Sequence, residues 1–110
     1  FITNIAEDSF GNIWLTSSIP GIYKIKSPIK AKKKEIIFFE IPEVVKFISD
    51  SNQNLFIVSK IGLWKYIEDE DRVVQLFSMP EDKKTGQIYL DSKNRFWGSY
   101  GSNSIFYYSS

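Results

Sequence analysis

The sequence predicts an all-β fold made of antiparallel four-stranded blades of a β-propeller, incomplete at about two and three-quarter blades. A short motif occurs three times, as EDSFGNIW at 7–14, SDSNQNLF at 49–56 and LDSKNRFW at 90–97. Its central aspartates, Asp8, Asp50 and Asp91, are 42 and 41 residues apart. A period of this length is typical of propeller blades, in which each repeat is one four-stranded sheet.

The pattern within each copy favours strands over helices. The apolar runs are short, rich in β-branched and aromatic residues, and bounded by Gly, Pro, Asn, Asp and Ser. No segment has a sustained helical apolar stripe, so we expect almost no helix. The predicted strands are 2–7, 12–17, 22–26 and 35–41 in the first unit, 44–49, 55–59, 63–67 and 72–78 in the second, and 86–90, 95–99 and 104–108 in the third. One partial domain, 1–110, then contains units of about 1–41, 42–78 and 79–110.

The repeated motif is interpreted as a hairpin turn between the first two strands of each blade. The aspartate can accept a backbone N–H from two residues further on, and Gly11 can take the positive φ of a tight turn. Gln53 and Asn94 stand at the position of Gly11. Because Gln tolerates a positive φ poorly, we expect the second turn to have a different shape.

The aromatic residue that ends each motif lies on a strand that is apolar on both faces. Such a strand needs cover on both sides, as a sheet between two neighbouring blades has. We therefore expect the aromatic residues to be buried between blades and the motif to be structural. The expected structural anchors of the repeat are Asp8, Gly11, Trp14, Asp50, Phe56, Asp91 and Trp97.

The segment FITNIAEDSFGNIWLTSSIPGIYKI resembles the two-component regulator propeller repeat, and VKFISDSNQNLFIVSKIGLWKYI and QIYLDSKNRFWGSYGSNSIFYYS resemble it more loosely. The resemblance implies a periplasmic sensor region of a bacterial hybrid two-component system, whose histidine kinase and membrane helix lie in other segments of the full-length protein. It also implies that the signal is a glycan fragment. A chain that begins at Phe1 fits a segment of such a protein.

Composition argues against several other functions. The net charge is +1, which gives no general reason to expect nucleic acid as a partner. The chain has no His and no Cys, so the usual catalytic triads, thiolate and imidazole metal sites have no ligands here, and we expect no catalytic residue, metal or cofactor. The charged runs at 30–35 and 68–71 are interpreted as solvated loops.

Ligand contacts are predicted in loops that differ between the three copies. In the usual blade winding, the Asp turns and the two charged runs share one end of the blades, and the variable loops share the other. Tyr100 is expected in an irregular loop, where its ring can stack on a sugar, and three residues can donate hydrogen bonds. The predicted ligand-binding residues are Tyr100, Lys60, Lys83 and Asn103.

Two other functions remain open at this stage. One is a segment of a propeller enzyme resembling virginiamycin B lyase, whose expected His would lie in other blades. The other is a protein-interaction scaffold, since propellers are general platforms. The predicted partners are the remaining blades of the same propeller, an oligosaccharide ligand and a second copy in a homodimer.

Overall fold

The computed structural model describes residues 2–17, 21–26, 36–79, 85–100 and 104–109. Their strands form three antiparallel sheets, two with four strands and one with three. In chain order the strands are β1 (Ile2–Glu7), β2 (Ile13–Ser17), β3 (Ile22–Ile25), β4 (Ile36–Phe39), β5 (Val44–Ser49), β6 (Leu55–Ser59), β7 (Gly62–Ile67), β8 (Arg72–Ser78), β9 (Thr85–Leu90), β10 (Arg95–Tyr100) and β11 (Ser104–Ser109). The all-β fold of incomplete propeller blades is confirmed.

Each sheet keeps its strands in chain order, so each strand pairs with the next strand of its blade in an antiparallel arrangement. The Asp turns therefore lie at the same end of the blades as the connections from β3 to β4 and from β7 to β8. We call this the turn end. The opposite loop end carries the reversal from β6 to β7 and the connections between blades. The 3₁₀ turn Glu68–Glu70, at the turn end, is the single helical segment of the described residues.

The first two strands of every blade share an irregularity near the loop end. The register shifts by one residue between Ile2 and Asn4, between Val44 and Lys46, and opposite Gly98–Tyr100. Such bulges increase strand twist. The bulge thus repeats at the equivalent place in all three sheets, a feature that the sequence motif did not predict.

Blades one and two pack face to face around Trp14, which is fully buried. Its ring lies 4.6 Å from that of Tyr66 in an edge-on arrangement and 5.6 Å from Phe39 of its own blade. Leu55 and Ile57 of β6 complete this cluster. We call the face of a blade that points to the next blade its trailing face, and the opposite face its leading face.

Blades two and three pack through the other side of β6. Phe56 and Val58 point away from the first cluster and contact Ile88 and Phe96 of blade three. The rings of Phe56 and Phe96 are 4.8 Å apart. All five residues of β6 are buried, as expected for a strand that is apolar on both faces and lies between two blades.

The two outermost faces are not covered by any described residue of this chain. Ile5, Ile36 and Phe38 are exposed on the leading face of blade one. The trailing face of blade three exposes Tyr89, Trp97, Ile105 and Tyr107. Trp97 was expected to be buried between blades, but in this chain it is 39% exposed, because no described residue packs on this face of blade three.

The second Asp turn was expected to differ in shape and does not. Gln53 takes a φ of 66°, close to the 59° of Asn94, and Gly11 has 85°. In all three turns the residue at this position donates its N–H to the carbonyl of the turn aspartate at 3.1 Å. The hydrogen bonds of the turn hold Gln53 in the left-handed region despite its poor intrinsic preference.

Candidate functional site

Asp8 organises the first turn through both of its carboxylate oxygens. Oδ1 accepts the backbone N–H groups of Phe10 and Asn12, each at 2.9 Å. Oδ2 accepts the side-chain amide of Asn12 at 3.0 Å and the indole Nε1 of Trp14 at 2.8 Å. The six-residue spacing between Asp and Trp thus corresponds to a hydrogen bond that ties the turn to the aromatic residue between the blades.

Asp91 repeats this arrangement in the third blade. Its Oδ2 accepts Trp97 Nε1 at 2.8 Å and Arg95 Nε at 2.7 Å. Desolvation alone would raise the pKa of Asp91. Hydrogen bonds from Arg95, Trp97 and Lys93 outweigh it and hold this pKa well below its ordinary value. Asp50 keeps the hydrogen bonds to its own turn, but Phe56, at the position of the tryptophans, has no side-chain N–H to donate. The carboxylates of the three aspartates therefore form hydrogen bonds that stabilise their own turns.

A polar cluster crosses the interface between blades one and two at the turn end. Lys24 Nζ lies 2.6 Å from both Tyr66 Oη and Asp71 Oδ1. Tyr66 Oη donates to the same Asp71 oxygen at 2.9 Å. We call Lys24, Tyr66 and Asp71 the inter-blade triad. Lys26 Nζ lies 3.7 Å from the other carboxylate oxygen of Asp71, Oδ2.

The triad is held by buried surroundings. The Lys24 side chain is only 4% exposed, whereas that of Asp71 is 32% exposed. Burial, and then the hydrogen bond to Asp71, raises the pKa of Tyr66 far above its ordinary value, so its hydroxyl stays protonated. Burial by itself would raise the pKa of Asp71, but hydrogen bonds from Lys24 and Tyr66 outweigh it and lower that pKa. Lys24 thus meets a carboxylate that remains charged.

Asp71 corrects one part of the sequence interpretation. The acidic run 68–71 was interpreted as a solvated loop, and Glu68, Asp69 and Glu70 are indeed exposed. Asp71 instead turns inward from the end of the 3₁₀ segment, at a φ of 49°. The sequence signal for this contact was Lys24, which lies two positions after buried Ile22 on the same, trailing face of blade one and needs a counter-charge there.

A cleft of about 340 Å³ opens to solvent above the inter-blade triad. Phe10, Lys26 and Glu68 line it together with the triad. Phe10 also borders a second cleft, of about 260 Å³, that continues toward Asn52 and Gln53 of the second turn. Donors, acceptors and an aromatic ring therefore converge on one opening between two blades.

Lys60 and Tyr100, the two predicted ligand-binding residues whose backbone the structure describes, lie at the loop end. Lys60 is exposed in the reversal from β6 to β7, and its backbone N–H donates to Glu43 O at 3.1 Å. The expectation that Tyr100 lies in an irregular loop is wrong, because it ends β10 in register with Ser104 and Thr85. Lys83 and Asn103 lie outside the described residues, as does the charged run 30–35. The loop-end site therefore stays a prediction.

Within the described parts of the chain, no group of acidic residues is arranged to hold a metal ion. No helix of these residues is long and apolar enough to span a bilayer. The chemistry available in the cleft is hydrogen bonding, charge pairing and contact with the Phe10 ring.

Neither family models nor curated proteins match this sequence. The chain is similar in structure to the extracellular domain of BT4673 from B. thetaiotaomicron, a candidate one-component system, with a TM-score of 0.74 and 16% sequence identity. The similarity covers 96% of this chain and 16% of that domain, so the chain spans about one sixth of its length. At this identity the likeness concerns the fold.

Proposed function

We propose that this chain is a ligand-sensing propeller segment of a bacterial membrane receptor and lies on the extracellular or periplasmic side. The observation that carries the proposal is the likeness of nearly the whole chain to part of an extracellular sensor domain. The repeated Asp-to-Trp motif also supports the proposal, because its sequence resembles a repeat of sensor propellers. The receptor class that we favour is the hybrid two-component system with a histidine kinase.

In this proposal the chain contributes a binding surface and no catalysis. Each turn aspartate has its side chain committed to its own turn, and the triad residues bond to one another. These carboxylates support the fold and are poorly placed to transfer protons to a substrate. The ligand is proposed to be a glycan fragment, whose hydroxyl groups suit the lysine and amide donors of the loop end.

The test is the signal output of the full-length receptor in the presence of an oligosaccharide panel. We expect at least one oligosaccharide to raise output, and we expect Lys60→Ala and Tyr100→Ala to weaken the response without changing the melting temperature. A full-length sequence without membrane and kinase segments would favour a secreted enzyme instead. Turnover of the oligosaccharide by the purified protein would favour it as well.

A further inference from the structure

The exposed ring of Phe10 has no role in forming its turn. Phe10 uses its backbone N–H to bond Asp8, as Asn52 and Lys93 do at the same position of the other turns. Its side chain is 53% exposed and belongs to neither buried cluster of the described residues. A large apolar side chain therefore stands at a solvent-exposed turn tip, where the other two turns have polar residues.

The surroundings of this ring are largely polar. On one side lies the cleft above the inter-blade triad, with Lys26 and Glu68 at its edge. On the other side the second cleft runs toward the Asp50 turn. Because Phe10 lines both clefts, a ligand that contacts its ring can extend from one cleft into the other. This geometry fits an extended molecule better than a compact one.

The charges of the triad cleft balance. Lys24 and Lys26 are set against Asp71 and Glu68, and both lysines already face the Asp71 carboxylate. Glu68 belongs to an acidic turn that also contains Asp69 and Glu70. An anionic ligand would find these lysines already paired and would approach further carboxylates. A neutral ligand has no such penalty.

We propose that the Phe10 cleft binds a neutral oligosaccharide. The apolar face of a sugar ring packs on Phe10, while its hydroxyls, which both donate and accept, bond to Lys26 and Glu68 at the rim. The cleft volume of about 340 Å³ is near the lower end of the usual range of small-molecule sites, roughly 300–1,000 Å³, so one or two sugar units fit there and others lie beyond Phe10. The inference rests on the proposed sensory function, and it makes the turn end an alternative to the loop-end site of Lys60 and Tyr100.

The experiment is isothermal titration of the full-length protein with cellotetraose, maltotetraose, xylotetraose and mannotetraose as neutral probes and tetragalacturonic acid as the acidic one. We expect a neutral probe to bind, and Phe10→Ser to raise its Kd by about tenfold. Phe10→Trp should keep the affinity, because it keeps an aromatic face. Lys93→Ser is the matched control, since it changes the same turn position of blade three and should leave Kd unaltered.

The outcomes separate this inference from the proposed function. If a neutral probe binds and Lys60→Ala weakens it while Phe10→Ser does not, the Phe10 cleft is not the site, and the sensory function stands. Binding of the acidic probe alone, or of none of the five, overturns the inference. If receptor output also fails to respond to any oligosaccharide, the proposed glycan sensing is wrong as well.

Discussion

Trp14 and Trp97 occupy the same position of the repeat in the first and third blades. Both indoles donate to the turn aspartate six residues earlier at 2.8 Å. Trp14 is fully buried, whereas Trp97 is 39% exposed. The hydrogen bond is local, since an eight-residue motif supplies both partners. Burial is not local, because it requires a neighbouring blade. Among the described residues, a second blade covers Trp14, and nothing covers Trp97 on its trailing face.

The cross-strand partners of the two indoles differ as well. The cross-strand partner of Trp14 is Lys24, which bonds to Asp71 and Tyr66 of the next blade. The cross-strand partner of Trp97 is Tyr107, whose ring stacks at 5.1 Å and lies open to solvent. The same backbone framework therefore presents a charged contact to a neighbour in one blade and an aromatic pair in another.

The largest expected effect is the loss of the buried indole. Trp14→Ala should lower the free energy of unfolding by about 3–5 kcal/mol, because it leaves a cavity between two blades. Trp97→Ala should cost only about 1 kcal/mol, since that ring is partly solvated already. Urea unfolding followed by circular dichroism measures both. Equal losses would mean that the local hydrogen bond, and not the neighbouring blade, determines the contribution of the tryptophan.

The turn aspartates should differ in the same direction by a smaller amount. Asp8→Ala removes the acceptor of a fully buried indole N–H and should cost about 2–3 kcal/mol. Asp91→Ala should cost less, because water can reach Trp97 and replace the lost acceptor. Asp8→Asn, which keeps one acceptor oxygen, serves as the intermediate control. The prediction fails if the two Ala variants unfold at the same urea concentration.

The uncovered aromatic face of blade three should make the isolated chain self-associate. Sedimentation velocity should show an average mass that rises with concentration. Trp97→Lys should weaken this association by about tenfold, because it places a charge at the centre of the face. Asn52→Lys adds the same charge at the exposed turn end and should have little effect. A wild-type chain that is monomeric at every concentration, or equal weakening by both variants, would contradict the prediction.

The smallest expected effect is a pH dependence that arises at the covered interface. The pKa of Asp71 is lower in the folded chain than its ordinary value of 3.8, so the unfolded chain binds a proton at higher pH than the folded chain does. The stabilisation by Asp71 is therefore complete above pH 3.8 and is lost as the pH falls through the folded pKa.

Asp71→Asn tests this dependence. Thermal unfolding between pH 2 and pH 6 should show wild type more stable than the variant above the ordinary pKa, with the difference shrinking below it. Asp69→Asn, at an exposed position of the same acidic turn, is the matched control and should follow wild type. A constant difference across this range would show that the charge of Asp71 contributes nothing to the interface.

The sequence by itself determined the blades. The Asp turns, the alternation of apolar residues and the strand limits follow from interactions within about forty residues, which is the span of one repeat. Eleven predicted strands agree with the observed ones to within two residues at each end. The Asp-to-Trp hydrogen bond is the physical reason for the repeated spacing, although the pattern alone indicated only a turn followed by an aromatic residue.

Only the tertiary structure decided which side chains meet between blades. Lys24 and Asp71 are 47 positions apart and lie in different blades, so the pattern within one repeat does not connect them. The ligand contact proposed for Phe10 depends on a cleft that forms only when the second blade packs on the first. The exposure of Trp97 likewise depends on whether another sheet lies against it. Local hydrogen bonds and alternation can be predicted from neighbouring residues, whereas burial and charge pairing depend on distant surfaces that become neighbours only when the blades pack.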